Sequence, residues 1–423
     1  MDALDRAIEE SADHVFDVLG TLVSAASVLG SEQQALEVFG REMESIGLVT
    51  TRLPFSNDRV VDPRAGVTPS SVPRTDDRFQ MLAETPGEAP LTLLLNGHMD
   101  VVPASTPQLW TSPPFEPQRR DGWMYGRGTA DMKSGFAIGA LALRALARVH
   151  PELFSHRRLG FLAVVEEENT GNGTLRSLTE HGVTAPEVVL LEPTDLGLMV
   201  GGVGVLWVDI DVVALASHAH DAQGHVNAVE LGLRLVTALR TWAAELGVAE
   251  PESSMPTGAS AYNVNLGRVD AGDWTSSAPA VAVLGIRIGF PRAWTVERAE
   301  AEVRHLVETT VAGDPDFPRQ PRVECSGLRA RGYLLDEQST LVQDLAAAHL
   351  DAHGATPRVF SLGSTTDART YLNDFGVPAV CFGAVTQNMH GIDESVDLRS
   401  IVDGARTLAR FLLMRFGDAQ DRR

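Results

Sequence analysis

One histidine and a set of carboxylates stand where apolar runs of this sequence end. His98 and Asp100 lie in NGHMD after LTLLL, Glu166, Glu167 and Glu168 follow FLAVV, and Glu192 follows EVVLL. Asp131 in GRGTADMKSG and His390 in NMHGIDE complete the group. Carboxylates with imidazoles make an oxygen and nitrogen ligand set, which suits zinc, cobalt or manganese better than copper or an iron–sulfur cluster. Two such ions about 3.5–4 Å apart can share one carboxylate and one water, whose pKa falls toward roughly 7. A neighbouring carboxylate that binds no metal can take that water's proton and pass it to a leaving amine. Each fragment alone has a plainer reading. An HxD is commonly a surface polar pair, three glutamates a solvated face, Glu192 a strand end, and Asp131 the cap of a helix beginning near Lys133. For the HxD and the three glutamates, the position at the end of an apolar run favours a site, and for Asp131 capping and metal binding are compatible.

Ligands of open α/β sheets gather outside the carboxyl ends of the strands, so these runs read as strands. Ala3 to Ala25 and Ser31 to Ile46 carry apolar residues at helical spacing, with Gly47 as a C-cap. An irregular stretch runs from about Pro54 to Asp77, and a helix pattern spans roughly Lys133 to Val149. Buried runs alternating with helices imply an α/β fold, a mostly parallel sheet with helices on both faces. From about Gly201 to Gln320 the pattern changes. VLWVDIDVV, a helix from Asn227 to Leu246, VAVLGIRIGF and a helix from Thr295 to Val311 read as a small α+β insert. A helix from Ser339 to His353 and the run VPAVCFG then resume the first pattern. The expected division is 1–200 with 321–423 as the metal-binding unit and 201–320 as the insert.

At 423 residues the chain is long enough for two cores. Hydrophobic residues at 44% and charged residues at 22% are ordinary for a soluble protein. Acidic residues outnumber basic ones by 56 to 35, and the net charge of −21 argues against nucleic acid or an anionic membrane as the main partner. The two cysteines, Cys325 and Cys381, form no CxxC, which argues against a disulfide framework or thiolate zinc site and reads them as small buried hydrophobes. The N-terminus has no basic, apolar leader and no run is long enough to span a bilayer, so a cytoplasmic protein is expected.

The strings NGHMDVVP, WTSPPFEP, DGWMYGRGTADMKSG, EEENTGNGT, LEPT, NLGRVDAGDW, GSTTDAR and NMHGIDE, in this order, run from the first third almost to the end. Together they resemble the dinuclear-zinc amidohydrolases and exopeptidases, which include acetylornithine deacetylase, succinyl-diaminopimelate desuccinylase, aminoacylase and glutamate carboxypeptidase. The resemblance implies that His98 and Glu192 bind one divalent ion, Glu168 and His390 a second, and Asp131 both. Zinc comes first, with cobalt or manganese as alternatives. Asp100 would hold the His98 imidazole in its ligand orientation, and Glu167 would be the general base and acid. Relatives show an acidic pair where this chain has three glutamates, so Glu166 and Glu167 form an alternative register. The spacing to Gly171 and Gly173 matches Glu167 and Glu168. Thr170 and Ala214 stand where relatives have glycine.

The same resemblance makes the insert a dimerisation domain and the protein a homodimer. It places His218 near the reacting carbonyl, with His220 and His225 as alternatives, and Arg287 at the substrate carboxylate. Asn265, Arg369 and the loop Gly363 to Thr366 would line the pocket. His14, His150 and His305 read as surface or structural. The implied activity is metal-dependent hydrolysis of an amide bond in a small N-acylated amino acid or N-acyl amine. A carboxypeptidase or dipeptidase is the alternative, an enzyme acting on heterocyclic amines a variant, and a non-catalytic binding relative the reading from another class.

Overall fold

The computed structural model describes residues 2–56, 62–69, 77–256 and 258–417. Helix Ala3–Ser24 opens the chain, capped by the Asp2 carboxylate on the Asp5 N–H. Helix Gln33–Ile46 follows and ends at Gly47, whose φ of 102° lies in the left-handed region that glycine enters without a Cβ clash. Part of the irregular stretch expected from Pro54 to Asp77 lies outside the described residues.

Among the described residues nine strands form the main sheet. At its centre Leu159–Val164, Leu93–His98, Val188–Leu190 and Ala379–Cys381 run parallel. Phe79–Glu84 and Val49–Pro54 extend one side antiparallel. Leu198–Gly202 joins the other side, antiparallel to Ala379–Cys381. Successive side chains of a strand point to opposite faces, and both faces are buried here. Leu93, Leu95, Phe161, Ala163, Val189 and Val380 pack with helices Ala3–Ser24, Gln33–Ile46, Ser134–Val149, Thr340–His353 and Leu398–Phe416. Leu94, Leu162, Val188, Leu190 and Cys381 pack with Asn172–Thr179 and Ala368–Phe375. The chain is therefore a mixed α/β protein with a mostly parallel central sheet covered on both sides.

A separate antiparallel sheet runs Val264–Ala271, Val281–Phe290, Gly204–Val213, Arg322–Ala330 in spatial order. Helix Ala228–Ala249, started by an Asn227–Glu230 capping box, covers one face together with Val296–Val311. The expected edge at residue 320 stands short of this sheet. Arg322–Ala330 pairs with Gly204–Val213, and Val323 packs in the insert's own core. At the other edge, Gly201 and Gly202 still pair with Leu334 and Tyr333 in the main sheet. A third, small sheet joins Gln118–Arg120, Trp123–Tyr125, Ser395–Asp397 and Thr386–Gln387. It brings the strings DGWMYGRGTADMKSG and NMHGIDE together, and with them Asp131 and His390.

Candidate active site

The parallel strands end on one edge of the main sheet, and the expected side chains collect there. His98 closes its strand and is 2% exposed. Its Nδ1 donates to the backbone carbonyl of Asp100 at 2.9 Å, which turns Nε2 toward the carboxylates as the atom that could ligate a cation. Asp131 sits in the turn Thr129–Lys133 at φ −116° and ψ 101°, and the helix that follows has Lys133 at its N-cap position with no side-chain cap bond, so Asp131 is not its cap. One of its oxygens, Oδ1, lies 3.0 Å from His98 Nε2, and the other, Oδ2, lies 3.3 Å from His390 Nε2. Glu168 Oε1 is 3.0 Å from His390 Nε2, and Glu192 Oε2 is 3.8 Å from His98 Nε2.

The donor chemistry fits divalent cations. Neighbouring ligand atoms around a tetrahedral zinc with bonds of 2.0–2.1 Å stand about 3.3–3.4 Å apart, close to the separations just given. His98, Asp131 and Glu168 each offer one atom, all within 4.8 Å of one another. Burial raises Glu192 to about 8 and Asp100 to about 7. Burial also pushes Glu167 well above the usual carboxylate range, with Asp367 and Glu192 adding to the shift and His98 and Arg369 opposing it. Burial works against a charged His390, yet Asp131 and Glu168 raise it to about 11. Anions crowded this closely out of water call for added positive charge.

Asp100 acts through its backbone more than was expected. Its carboxylate is 3.8 Å from His98 Nδ1 and instead accepts the N–H groups of Glu167 at 3.3 Å and Glu168 at 3.1 Å. The three glutamates separate sharply. Glu166, 1% exposed with φ 65°, is bound by Arg78 at 2.7 Å and by the Thr170 hydroxyl at 2.9 Å. Arg78 also binds Glu32 at 2.9 Å. Glu167 points to Arg369, whose Nη1 is 3.7 Å from Oε1, and Glu168 points to His390.

Of the remaining expected residues, Arg369 meets this cluster through Glu167, and Arg287, Asn265 and His218 have no described bond to it. Arg369 is buried beside Asp367 and Glu167, in the space left by Gly171, where any Cβ would meet its guanidinium. Arg287 projects from the open face of the insert sheet and reaches Ser364 Oγ at 2.9 Å. Among the described residues no carboxylate comes within ion-pair distance of it, and burial lowers its pKa. Asn265 is exposed directly opposite Arg287 on the neighbouring strand. His218 is exposed at the start of the turn Ala219–Gly224, where Nδ1 accepts the His220 N–H at 3.2 Å. No described hydrogen bond joins His218, His220 or His225 to the carboxylates.

Four residues at the site were not singled out from the sequence. Asp367, Arg127 and Glu394 lie within GSTTDAR, GRGTADMKSG and NMHGIDE, so the strings held a signal for them. Arg78 stands between the irregular stretch and the strand Phe79–Glu84 and carried none.

The fold and this cluster define a metal-dependent hydrolase. Residues 94–414 match the peptidase family M20/M25/M40, and the chain belongs to that family. It resembles the solved di-peptidase Dug1p from Saccharomyces cerevisiae at a TM-score of 0.79 and 14% identity, over 99% of this chain and 98% of that one. Human carnosine dipeptidase 1 gives 0.77 and 15%, over 97% of each chain. YXEP from Bacillus subtilis, described as a dinuclear metal binding peptidase, gives 0.61 and 12%, over 96% and 99%. Among the described residues no helix is long and apolar enough to cross a membrane.

Proposed function

We propose that this chain hydrolyses the amide bond of a small N-acylated amino acid or related N-acyl amine. The observation that carries the reading is Asp131, whose two oxygens face His98 and His390 separately. His98 with Glu192 and His390 with Glu168 would hold two divalent ions, zinc first and cobalt or manganese next, with Asp131 shared. Such ions, when bound, supply Lewis acidity at the scissile carbonyl. Glu167 takes the proton of the attacking water and delivers it to the departing nitrogen. Its burial among like charges suits a group that must hold a proton and release it.

Arg287 is a half-buried guanidinium with no carboxylate partner among the described residues, which suits a substrate carboxylate held by two parallel hydrogen bonds. Asn265 flanks it, and Arg369 serves the pocket from behind Glu167. His218, exposed and unattached to the cluster, suits a donor to the site of a second copy in a C₂ homodimer. The insert, with its sheet extending to Ala330, supplies that contact. The remaining described residues form the metal-binding unit.

A second reading, a dipeptidase or carboxypeptidase, is favoured by the likeness to two dipeptidases over nearly the whole chain. A hydrolysis screen across N-acetyl, N-succinyl and N-formyl amino acids and dipeptides, each with zinc, cobalt and manganese, separates the two. Turnover of acyl amino acids above dipeptides supports the first reading, and dipeptides alone support the second. No turnover of any by metal-loaded protein overturns both.

A further inference from the structure

Asp131 and His390 come from loops far apart in the chain, and one buried ion pair ties them together. Glu394 is 1% exposed, and its Oε1 accepts three backbone N–H groups, from Gly128 at 3.0 Å, Ala130 at 2.9 Å and Asp131 at 3.0 Å. Its own carbonyl accepts the Gly126 N–H at 2.9 Å and the Thr129 hydroxyl at 3.2 Å. One carboxylate oxygen and the carbonyl of Glu394 therefore both serve the turn that presents Asp131. Arg127 closes the other carboxylate oxygen of Glu394, stacks on Trp110 at 5.2 Å, and sends Nη2 to the carbonyls of His390 and Gly391, each at 3.3 Å.

Both loops depart from ordinary backbone geometry. Asp131 stands outside helical backbone angles, and His390 has a φ of 61°, a left-handed value uncommon for a side-chain-bearing residue. A buried ion pair contributes little stability beyond an apolar pair of the same shape. What it can fix is direction, since a carboxylate gathering three N–H groups on one oxygen leaves the turn a single orientation.

We infer that Arg127 and Glu394 are positioning residues that set Asp131 and His390 at the spacing the metal centre needs. The inference rests on the reading of Asp131 and His390 as ligands. Full-length chain stripped by a chelator is titrated with Zn²⁺ against a chromophoric competitor, and circular dichroism and Tm are read on the same metal-free samples. E394Q and R127K are expected to weaken zinc binding by roughly 10- to 100-fold, as loss of groups supporting metal ligands does. E42Q is the control. Glu42 is a buried carboxylate bound to Arg144 and His14, away from the cluster. It should lower Tm and leave zinc affinity unchanged.

Wild-type zinc affinity in both E394Q and R127K, whatever their Tm, overturns the inference. So does an equal loss of affinity in E42Q, which marks the effect as general destabilisation. Should E394Q not fold, R127K, which keeps the cation, decides. A wild-type chain that takes up no zinc removes the ligand reading, and the inference with it. That failure shows in the wild type and is not confused with the others.

Discussion

His390 Nε2 stands 3.0 Å from Glu168 Oε1 although 222 residues separate them in the chain. The contact is made because the strand Leu159–Val164 ends beside the loop held by the small sheet of Trp123–Tyr125 and Ser395–Asp397. It gives the three consecutive glutamates distinct expected phenotypes. Glu167→Gln should keep its metal and lose on the order of 10² to 10⁴ in kcat. Glu168→Gln should lose metal affinity, read by metal analysis of dialysed protein. Glu166→Gln should lower Tm, because it weakens the buried bond to Arg78. Metal retained in Glu168→Gln but lost in Glu167→Gln would return the register to Glu166 and Glu167.

Arg287 should discriminate by substrate charge. Arg287→Lys removes the planar fork but keeps the charge, so KM should rise markedly for a substrate with a free carboxylate. For the corresponding amide it should change little. Steady-state kinetics on the matched pair checks this, and equal changes on both would mean that the bond to Ser364 is only structural.

How much of this was legible before the structure depends on where each signal lies. The central strands were legible because both faces are buried, leaving uninterrupted apolar runs such as LTLLL and FLAVV. Their ends marked His98, Glu167, Glu168 and Glu192, and the structure brings these residues to one edge of the sheet. Val264–Ala271 and Arg322–Ala330 were not legible as strands. The first is an edge strand exposed along most of its length, so its residues show no apolar alternation, and the second pairs with Gly204–Val213 beyond residue 320. Glu394 and Arg127 were passed over because a buried ion pair has no periodicity. Only folding shows that Glu394 gathers the N–H groups of the Asp131 turn.

Stability should fall in mild acid through a pair remote from the cluster. His349 packs on His353 at 4.6 Å and on Phe382, and burial, then the His353 charge, lowers it from 6.5 to about 4. Between those values the unfolded chain holds more protons than the folded one, so stability present above about 6.5 is lost as the pH falls toward 4. Metal-free wild type should show a falling urea midpoint over that window, and His349→Gln a shallower fall. Parallel curves would assign the acid loss to other groups.

His218 tests whether two copies share a site. A positioned imidazole N–H at a developing oxyanion contributes roughly 10² to 10³ in rate, so His218→Ala and Glu167→Gln should each be nearly inactive alone. Heterodimers of the two should regain part of the activity, because one of their two sites has both residues intact. Confirmed heterodimers that stay inactive while both parents fold and bind metal would exclude donation between copies.

The most direct test follows the amide hydrolysis of one chelator-stripped sample while zinc is added back. The rate should start near zero, rise with zinc, and level off at two ions per chain. Asp131→Ala, which lacks the carboxylate facing both histidines, should stay near zero across the same range. Full hydrolysis by the metal-free wild type, or an unchanged rate in Asp131→Ala, would contradict the account.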